Sequence, residues 1–296
     1  MILLTGGTGF LGSQLLTRML QRGDEVVVIK RSNSNLAKIE SLTENALLHL
    51  FDIDNNDPRL IFEQYKIDTI IHAATEYGRG SMPIYSILDA NLILPLRLAE
   101  LGIQGGVKCF INSDSFFNKS GNSYSNLLNY SLSKKSLLNW LMKLSGEIKI
   151  VNVVLEHIYG PWDSPTKFVE HAIHDIAIEK IQRMRLTHGH QRRDFVYIDD
   201  VVDAYMTLID YGRMRDFRFE SFELGTGHPI QICDFVSEIK LLSGSSTVLG
   251  FGDLPYRNDE IMYSAADTSR LEQLGWAPQI SASEGLARIL RAYESR

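Results

Sequence analysis

The first twelve residues constrain the fold more than any other segment of the chain. An apolar run leads into a loop with four glycines, Thr5-Gly-Gly-Thr-Gly-Phe-Leu-Gly12, and leucines at helical spacing follow it. Glycines let the backbone turn tightly and approach a phosphate, and a helix start offers free N–H groups and a positive dipole end. Strand, loop and helix in this order predict dinucleotide binding; a glycine-rich surface turn is the simpler alternative.

The first half of the chain alternates β-branched runs with helical patterns, which is typical of a parallel sheet with crossover helices. Runs such as Val26–Ile29 are apolar at consecutive positions, as expected of strands covered on both faces. We therefore predict an α/β fold with a doubly wound parallel sheet. The predicted strands are Met1–Thr5, Glu25–Lys30, Ala46–Phe51, Thr69–Ala73, Val107–Asn112 and Lys149–Leu155.

The pattern changes after Gly160-Pro161, where helices dominate and strands become rare. Helices are predicted at Lys167–Glu179, Asp200–Asp210, Ile230–Leu242 and Ala282–Tyr293, with one strand at Ser221–Leu224. We predict a discontinuous division. Residues 1–160 and about 194–226 form the larger, cofactor-binding domain, and about 161–193 with 227–296 form a smaller, mostly helical lobe.

Composition argues against several classes of function. Thirty Lys and Arg residues against 36 Asp and Glu give a net charge of −6, and without a basic run we expect no nucleic-acid partner. No apolar run approaches the ~18 residues of a membrane span, so no membrane association is expected. The N-terminal segment lacks the features of a secretory signal, and the two distant cysteines, Cys109 and Cys233, fit a reducing compartment, so we expect a cytoplasmic protein.

A metal site is not expected. Neither thiolates nor a matched set of carboxylates accompanies the four clustered histidines, so solvated or hydrogen-bonded side chains explain them better. These histidines are His171, His174, His188 and His190.

The end of the second predicted strand indicates which dinucleotide is bound. An acid there would hold the ribose 2′-hydroxyl of NAD, whereas this chain has Lys30-Arg31-Ser32. Two cations and a hydroxyl attract a phosphate dianion, so we predict a preference for NADPH; an ordinary solvated loop is the alternative. Asp52 and Ile53, after the third strand, are placed to meet the adenine.

Tyr130-Ser-Leu-Ser-Lys134 is the central candidate for chemistry. Positions four apart lie on one helix face, so the phenol and the ammonium can share one site, whereas Lys135 points elsewhere. A nearby cation favours phenolate, so we expect the pKa of Tyr130 to be lowered. Upstream, Ser113 and Ser115 lie at the carboxyl end of a predicted strand, where open α/β sheets bind ligands. A half-buried aromatic beside a surface lysine, and serines that cap a turn, are the structural alternatives.

Together these motifs resemble the extended short-chain dehydrogenase/reductases that act on nucleotide sugars. The resemblance covers nearly the whole chain in the correct order, and its motifs are the glycine loop, His72-Ala-Ala74, Ser115, Tyr130-xxx-Lys134 and Tyr159-Gly-Pro161. Further stretches resemble the 4-ketosugar reductases of O-antigen biosynthesis. These are His72–Gly78, Asn112–Phe117, Leu155–Pro161, Arg193–Phe195 and Arg257–Met262.

The resemblance implies a Rossmann domain, a C-terminal sugar-nucleotide lobe and a Ser115, Tyr130, Lys134 triad. Ser115 would polarise the ketone, Tyr130 would donate a proton, and Lys134 would tune the phenol and hold the nicotinamide ribose. His157 stands where this superfamily often has Asn, and a packed structural role is an equal alternative. The implied cofactor-binding residues are Gly6, Thr8, Gly9, Phe10, Leu11, Gly12, Lys30, Arg31, Ser32, Asp52, Ile53, His72, Ala73, Ala74, Asn91, Ser113, Tyr130, Lys134 and His157.

The resemblance also implies how a nucleotide sugar is held. Arg193 and Arg257 match the family's diphosphate-binding arginines, and Glu260 matches an acid that contacts the nucleotide ribose. Surface ion pairs are the alternative for each of them. The remaining candidates are Lys167 and Phe168, flanking the base, and Glu76 and Tyr77, lining the sugar pocket. Homodimers that pair through the helix with the catalytic Tyr are common in the superfamily, so we expect a homodimer.

One departure from the family pattern bears on the reaction. Members that dehydrate hexoses carry an Asp-Glu pair after the catalytic hydroxyl, whereas this chain has Phe116-Phe117, which transfer no protons. Dehydration is therefore disfavoured, and the resemblance implies NADPH-dependent reduction of the C4 ketone of a nucleotide-diphosphate 4-keto-6-deoxy sugar, with CDP-4-keto-3,6-dideoxyglucose giving CDP-abequose as the leading case. An epimerase, a dTDP-linked 4-ketosugar reductase and a non-catalytic NADPH-binding sensor are the alternatives.

Overall fold

The computed structural model describes residues 1–80, 82–119 and 127–294. Its main feature is a seven-stranded sheet in the order β11-β6-β5-β4-β1-β2-β3, which is the doubly wound order of a Rossmann fold. The strands are β1 (Ile2–Thr5), β2 (Val26–Lys30), β3 (Leu48–Asp52), β4 (Thr69–His72), β5 (Cys109–Ser115), β6 (Lys149–Leu155) and β11 (Phe219–Leu224). The fold class predicted from the sequence is confirmed.

The central strands are buried along their length because helices cover both faces of the sheet. β1 pairs in parallel with β2 and with β4, so that Leu3 lies between Val27 and Ile70, and all three side chains are fully buried. Phe110 of β5 and Leu137 belong to the same apolar core. Burial of a side chain of this size contributes about 1.5–3 kcal/mol to stability, so these strands anchor the carboxyl edge that holds the candidate site.

The helices begin and end close to where the sequence patterns place them. α1 ends before Gly23, whose φ of 87° suits the left-handed C-cap. A π-helical turn, Asp89–Ile93, precedes α4. The helices are α1 (Phe10–Arg22), α2 (Arg59–Gln64), α3 (Ile84–Leu88), α4 (Leu94–Gln104), α5 (Leu128–Leu144), α6 (Phe168–Ile173), α7 (Ile198–Met214), α8 (Ile232–Ser243), α9 (Ser269–Glu272) and α10 (Ala282–Glu294). Among the described residues, no helix is both long and apolar enough to cross a bilayer.

The chain forms two compact units, and the described residues of the first are those within 1–119, 127–154 and 202–222. The second holds residues 155–201 and 223–294. In the second unit short strands pair as β7 with β10, β8 with β13 and β9 with β12. These strands are β7 (His157–Tyr159), β8 (Arg183–Leu186), β9 (Arg192–Arg193), β10 (Phe195–Tyr197), β12 (Ile230–Gln231) and β13 (Val248–Phe251).

Three features differ from the sequence prediction. The fifth strand is displaced towards the site and runs to Ser115, three residues beyond the predicted end at Asn112. The helix predicted over Lys167–Glu179 divides into α6 and a π-helical turn at His174–Ile178. The short strands of the second unit were not predicted, because segments of two to four residues are too short to establish a period of two.

Candidate active site

The glycine loop is built so that side chains would not fit. Gly6 has φ 73°, and a Cβ there would lie 2.6 Å from the Ala74 backbone nitrogen. A Cβ on Gly12 would overlap the Gly6 carbonyl oxygen and lie 2.9 Å from the Gly7 Cα. The Gly9 N–H donates to the Gly6 carbonyl at 2.9 Å, which closes the turn. These contacts explain why glycine is needed at both ends of the loop.

The N-terminus of α1 suits an anion. Gly9, the N-cap residue, is exposed and provides no side-chain cap, and the first turn of the helix carries no acidic residue. The first N–H groups of a helix have no partner within it, so a pyrophosphate at this end would accept hydrogen bonds from them. Thr8 and Phe10, on either side of Gly9, are partly exposed, whereas the Leu11 side chain is buried.

The loop after β2 is more nearly neutral than its sequence indicates. The Lys30 ammonium donates to Asp52 Oδ2 at 3.0 Å, and the Ser32 hydroxyl donates to the same oxygen at 2.9 Å. These contacts lower the pKa of Asp52, the Lys30 hydrogen bond most of all. The Arg31 side chain is exposed, and among the described residues it has no side-chain partner. Arg31 is therefore the cation in this loop that can meet a phosphate without breaking an ion pair.

The end of β4 is fixed by a hydrogen bond to β1. His72 is fully buried, its Nδ1 lies 2.9 Å from the Thr5 hydroxyl, and the Ala74 N–H donates to that hydroxyl at 3.2 Å. Burial, with a smaller effect from the Lys134 charge, holds the pKa of His72 well below its usual value. His72 is thus a neutral structural side chain that positions the backbone of Ala73 and Ala74 against the glycine loop.

Asn91 lies in the π-helical turn before α4 and joins two parts of the site. Its Nδ2 donates to the Glu76 carbonyl at 2.8 Å and to the Ser133 hydroxyl at 3.0 Å, and its Oδ1 accepts from the Glu76 N–H at 2.8 Å. The Ser133 hydroxyl in turn donates to the Tyr130 carbonyl at 2.7 Å. The buried Asn91 amide therefore holds the segment with Glu76 against the helix that carries Tyr130.

Tyr130 is almost completely buried, with 4% of its surface exposed. Its side chain is hydrogen-bonded to Ser115. Its ring stacks on that of Tyr77 with 4.9 Å between the ring centroids, and the Phe117 ring meets it edge-on with 6.1 Å between the centroids. Burial raises the pKa of Tyr130 well above its usual value, and the Ser115 hydrogen bond offsets only part of this. The expected lowering of the Tyr130 pKa is therefore wrong, because burial disfavours the phenolate more strongly than any neighbouring group favours it. At neutral pH Tyr130 is a phenol that can donate a proton.

Lys134 lies one helical turn beyond Tyr130, and its side chain reaches β5, the strand that carries Ser115. It is 1% exposed, and its ammonium donates to the Ser113 carbonyl at 2.8 Å, whereas Lys135 is exposed. Burial lowers the pKa of Lys134 to about 8, and the charge of Asp114 partly offsets the effect. The Ser113 hydroxyl lies 2.6 Å from the Tyr205 hydroxyl, so Ser115 is the serine that meets Tyr130.

Asp114, between the two serines, was not identified from the sequence. It is 3% exposed, and its carboxylate accepts hydrogen bonds from the Ser115 N–H, the Asn118 side chain and the Asn152 side chain. An acid between two candidate hydroxyls in a strand gives no periodic signal of its own. Its burial at the end of β5 is the observation that distinguishes it.

The second unit contains a buried ion pair. Arg193 donates to Glu260 Oε1 at 2.6 Å, and both side chains are at least 87% buried. Burial lowers the pKa of Arg193, against the charges of Glu260 and Glu156. The neighbouring Asp194 accepts four hydrogen bonds, from the Thr226 N–H and hydroxyl and from the Gly227 and Ala266 N–H groups, and is structural.

The remaining predicted site residues of the second unit range from partly buried to exposed. His157 is partly buried, and burial lowers its pKa, although Glu156 lies beside it. Lys167 pairs with Asp163 at 3.0 Å. Phe168 is 39% exposed and Arg257 is exposed, so both present their side chains to solvent within this unit.

A model of the NAD dependent epimerase/dehydratase family matches residues 2–218. The chain belongs to this family. It is therefore an NAD(P)-dependent enzyme of the extended short-chain dehydrogenase/reductase class, in the branch that acts on nucleotide sugars. The glycine loop fits the nicotinamide dinucleotide that this family uses, because the space a Cβ would fill at Gly6 and Gly12 is taken by backbone and the first turn of α1 carries no acidic residue.

Curated relatives match over nearly the whole chain. CDP-abequose synthase from Salmonella typhimurium is 33% identical over 298 residues, which cover 98% of this chain and 97% of the relative. CDP-abequose synthase from Salmonella muenchen is 34% identical over 297 residues, with 99% and 98% covered. The UDP-glucose 4-epimerase structure from Thermotoga maritima superimposes with a TM-score of 0.85 at 22% identity, over 99% of this chain and 98% of that one, and shares the fold.

Proposed function

We propose that this enzyme reduces the C4 ketone of a nucleotide-diphosphate 4-keto-6-deoxy sugar with NADPH, and that CDP-4-keto-3,6-dideoxyglucose is its substrate and CDP-abequose its product. The observation that carries the proposal is the buried Tyr130 phenol, hydrogen-bonded to Ser115 and followed one turn later by Lys134. The similarity to two CDP-abequose synthases supports the choice of substrate.

A reductase must deliver a proton to the oxygen of the ketone it reduces. Tyr130 has a raised pKa and so remains a phenol at neutral pH, which is the protonation state that a proton donor needs. The Ser115 hydroxyl would donate a hydrogen bond to the same ketone oxygen and polarise it. The Lys134 ammonium, protonated below its pKa of about 8, would stabilise the phenolate that remains after transfer.

The cofactor would lie along the carboxyl edge of the sheet. Gly9 to Gly12 would bind its pyrophosphate, and Arg31 would bind the 2′-phosphate that distinguishes NADPH from NADH. When bound, NADPH supplies the hydride for the ketone carbon. Because Lys30 and Ser32 are engaged by Asp52, the preference for NADPH depends on Arg31.

The predicted substrate-binding residues of each unit have separate roles in this proposal. Arg193 and Arg257 would bind the diphosphate, and Glu260, which holds Arg193, would accept from the ribose hydroxyls. Lys167 and Phe168 would flank the base. In the first unit Glu76 and Tyr77 would line the sugar pocket, and the stacked ring of Tyr77 would give that pocket an apolar wall beside Tyr130.

A 4-epimerase is the second candidate, because the family includes such enzymes and their structures share this fold. An epimerase returns the hydride to its substrate and consumes no NADPH, whereas a reductase consumes one equivalent for each product. Dehydration is disfavoured because Phe116 and Phe117, which follow Ser115, cannot move protons.

The test is incubation of the protein with NADPH and a panel of CDP-, dTDP- and GDP-linked 4-ketosugars, with product identification by NMR. We expect stoichiometric NADPH oxidation and CDP-abequose. Tyr130→Phe should lower kcat by about 10²–10⁴-fold and leave NADPH affinity unchanged, since the removed hydroxyl acts only in proton transfer. Tyr65→Phe, at the C-cap of α2 and outside the site, is the matched control. Full activity in Tyr130→Phe would refute the assignment.

We also infer that the protein is a homodimer in the cytoplasm. α3 and α5 pack together, and both expose large apolar side chains, such as Tyr85 at 68% and Leu132 at 54%. A second copy could cover this face around a two-fold axis, because the same patch would then meet itself. The two free cysteines are consistent with a reducing compartment.

A further inference from the structure

A buried polar chain runs through the first unit behind Ser115. The Asn112 side chain donates to Asn152 Oδ1 at 2.8 Å, and Asn152 Nδ2 donates to Asp114 Oδ2 at 3.1 Å. The other oxygen of Asp114 accepts from the Ser115 N–H at 2.8 Å and from Asn118 Nδ2 at 2.7 Å. The carboxylate therefore connects β6 to the turn that follows β5, and its hydrogen bond to the Ser115 backbone fixes where that residue lies.

Every one of these partners is an N–H donor, so the carboxylate is satisfied only in its ionised form. A protonated Asp114 would need an acceptor for its own O–H, and among the described contacts neither oxygen has one. A buried charge of this kind is stable only with a counter-charge or with several hydrogen bonds. Burial raises the pKa of Asp114, and its hydrogen bonds and the charge of Lys134, buried on α5, act against this and favour the ionised form.

The other titratable groups around this pair do not supply the charge. His72 on β4 is held neutral by its burial, and Tyr205 on α7, whose hydroxyl pairs with Ser113, keeps its proton because burial raises its pKa. Tyr130 on α5, with Tyr77 stacked on it, is a phenol. Asp114 is thus the acid that acts on the Lys134 ammonium within the described part of the chain.

We propose that Asp114 is a positioning residue of the reductase site: it fixes the turn that presents Ser115 to Tyr130, and it supplies the buried negative charge that balances the Lys134 ammonium. This inference rests on the proposed reductase function. It gives a role to an acid that meets neither solvent nor, by its hydrogen bonds, the Tyr130 phenol.

Asp114→Asn removes the charge and keeps the shape, and Asn118→Ala is its matched control, because it removes one donor to the carboxylate and keeps the charge. For Asp114→Asn we expect the descending limb of the kcat–pH profile, near pH 8 in the parent, to move down by about one unit, with KM for NADPH unchanged. Asn118→Ala should leave that limb in place. An unshifted limb in Asp114→Asn would overturn the proposal.

A second measurement needs no substrate. NMR titration of isotope-labelled lysine, with the Lys134 resonance identified by its loss in Lys134→Met, should give a midpoint near 8 in the parent and a lower one in Asp114→Asn. An unchanged midpoint overturns the proposal. If the midpoint falls while no 4-ketosugar is reduced by the parent protein, the proposed function fails and the pairing of Asp114 with Lys134 stands.

If Asp114→Asn does not fold, the exchanged pair Asp114→Asn with Asn152→Asp replaces it. In this double variant Asp at 152 can accept from Asn112 and from the new amide at 114, so the hydrogen bonds are restored. The charge then lies on β6 rather than beside Ser115. A Lys134 midpoint below that of the parent supports the proposal, and an unchanged midpoint refutes it.

Discussion

Gly12→Ala should abolish binding of the dinucleotide and also lower the stability of the protein, by amounts that can be measured separately. A Cβ at this position would lie 2.6 Å from the Gly6 carbonyl carbon, where ordinary contacts begin at 3.4 Å. The loop and the helix start would therefore have to move apart by at least about 0.8 Å, because both partners are backbone. Overpacking of this size destabilises a protein by about 1–3 kcal/mol and turns the N–H groups away from the pyrophosphate.

The assay is thermal unfolding with and without NADPH. At a hundredfold excess over Kd the ligand stabilises the parent protein by about 2.7 kcal/mol. With about 2.1 cal/mol/K of unfolding entropy per residue, a chain of 296 residues should gain about 4 °C in Tm. Gly12→Ala should lose this ligand-induced gain, and its Tm without ligand should also fall. The scans with and without NADPH measure the two effects separately.

Gly146→Ala is the matched control, since a Cβ there meets nothing within 4 Å. It should keep the full ligand-induced gain. A Gly12→Ala variant that also kept the gain would refute the argument that close backbone packing of this loop creates the phosphate site.

Four further outcomes test the remaining assignments. Arg31→Ala should raise KM for NADPH about 10–100-fold and leave KM for NADH unchanged, whereas Arg97→Ala, also exposed, should alter neither; equal effects on both cofactors would contradict the 2′-phosphate role. Turnover should be maximal below pH 8 and fall above it, because Lys134, with its pKa lowered to about 8, loses its charge there; a flat profile to pH 9.5, about one and a half units higher, would contradict this. In steady-state kinetics, Arg193→Lys should raise KM for the nucleotide sugar about tenfold and leave kcat nearly unchanged, because a lysine cannot bind a diphosphate in a bidentate manner. Leu132→Glu should convert a dimer to a monomer in light scattering, while Lys143→Glu on the same helix should not.

The fold was predictable because its signals are local and periodic. A buried parallel strand is apolar at consecutive positions, as at Val26–Ile29, and the glycine loop has a spacing that few other structures need. The spacing of Tyr130 and Lys134 also placed both side chains on one helix face, and the structure has both of them buried against β5. The short strands of the second unit carry no such period, so they were missed.

The parts of the site that were not predicted depend on burial and on partners distant in sequence. The spacing shows that a cation lies near Tyr130, but it does not show that the phenol is desolvated, and desolvation decides the direction of its pKa. Lys30 pairs with Asp52, 22 residues away on the neighbouring strand, so the net charge of the loop could not be inferred from the sequence of the loop alone. Asp114 is distinguished only by what surrounds it.

The position of β11 in the sheet has a consequence for synthesis in the cell. β6 pairs with β11, Phe219–Leu224, so about three quarters of the 296 residues must be translated before the seventh strand can join. Until then the nascent chain exposes an open β6 edge, which can pair with other chains. A ribosome that pauses before β11 has left the exit tunnel should therefore produce more aggregation, or more chaperone capture, than one that pauses after β11 has emerged.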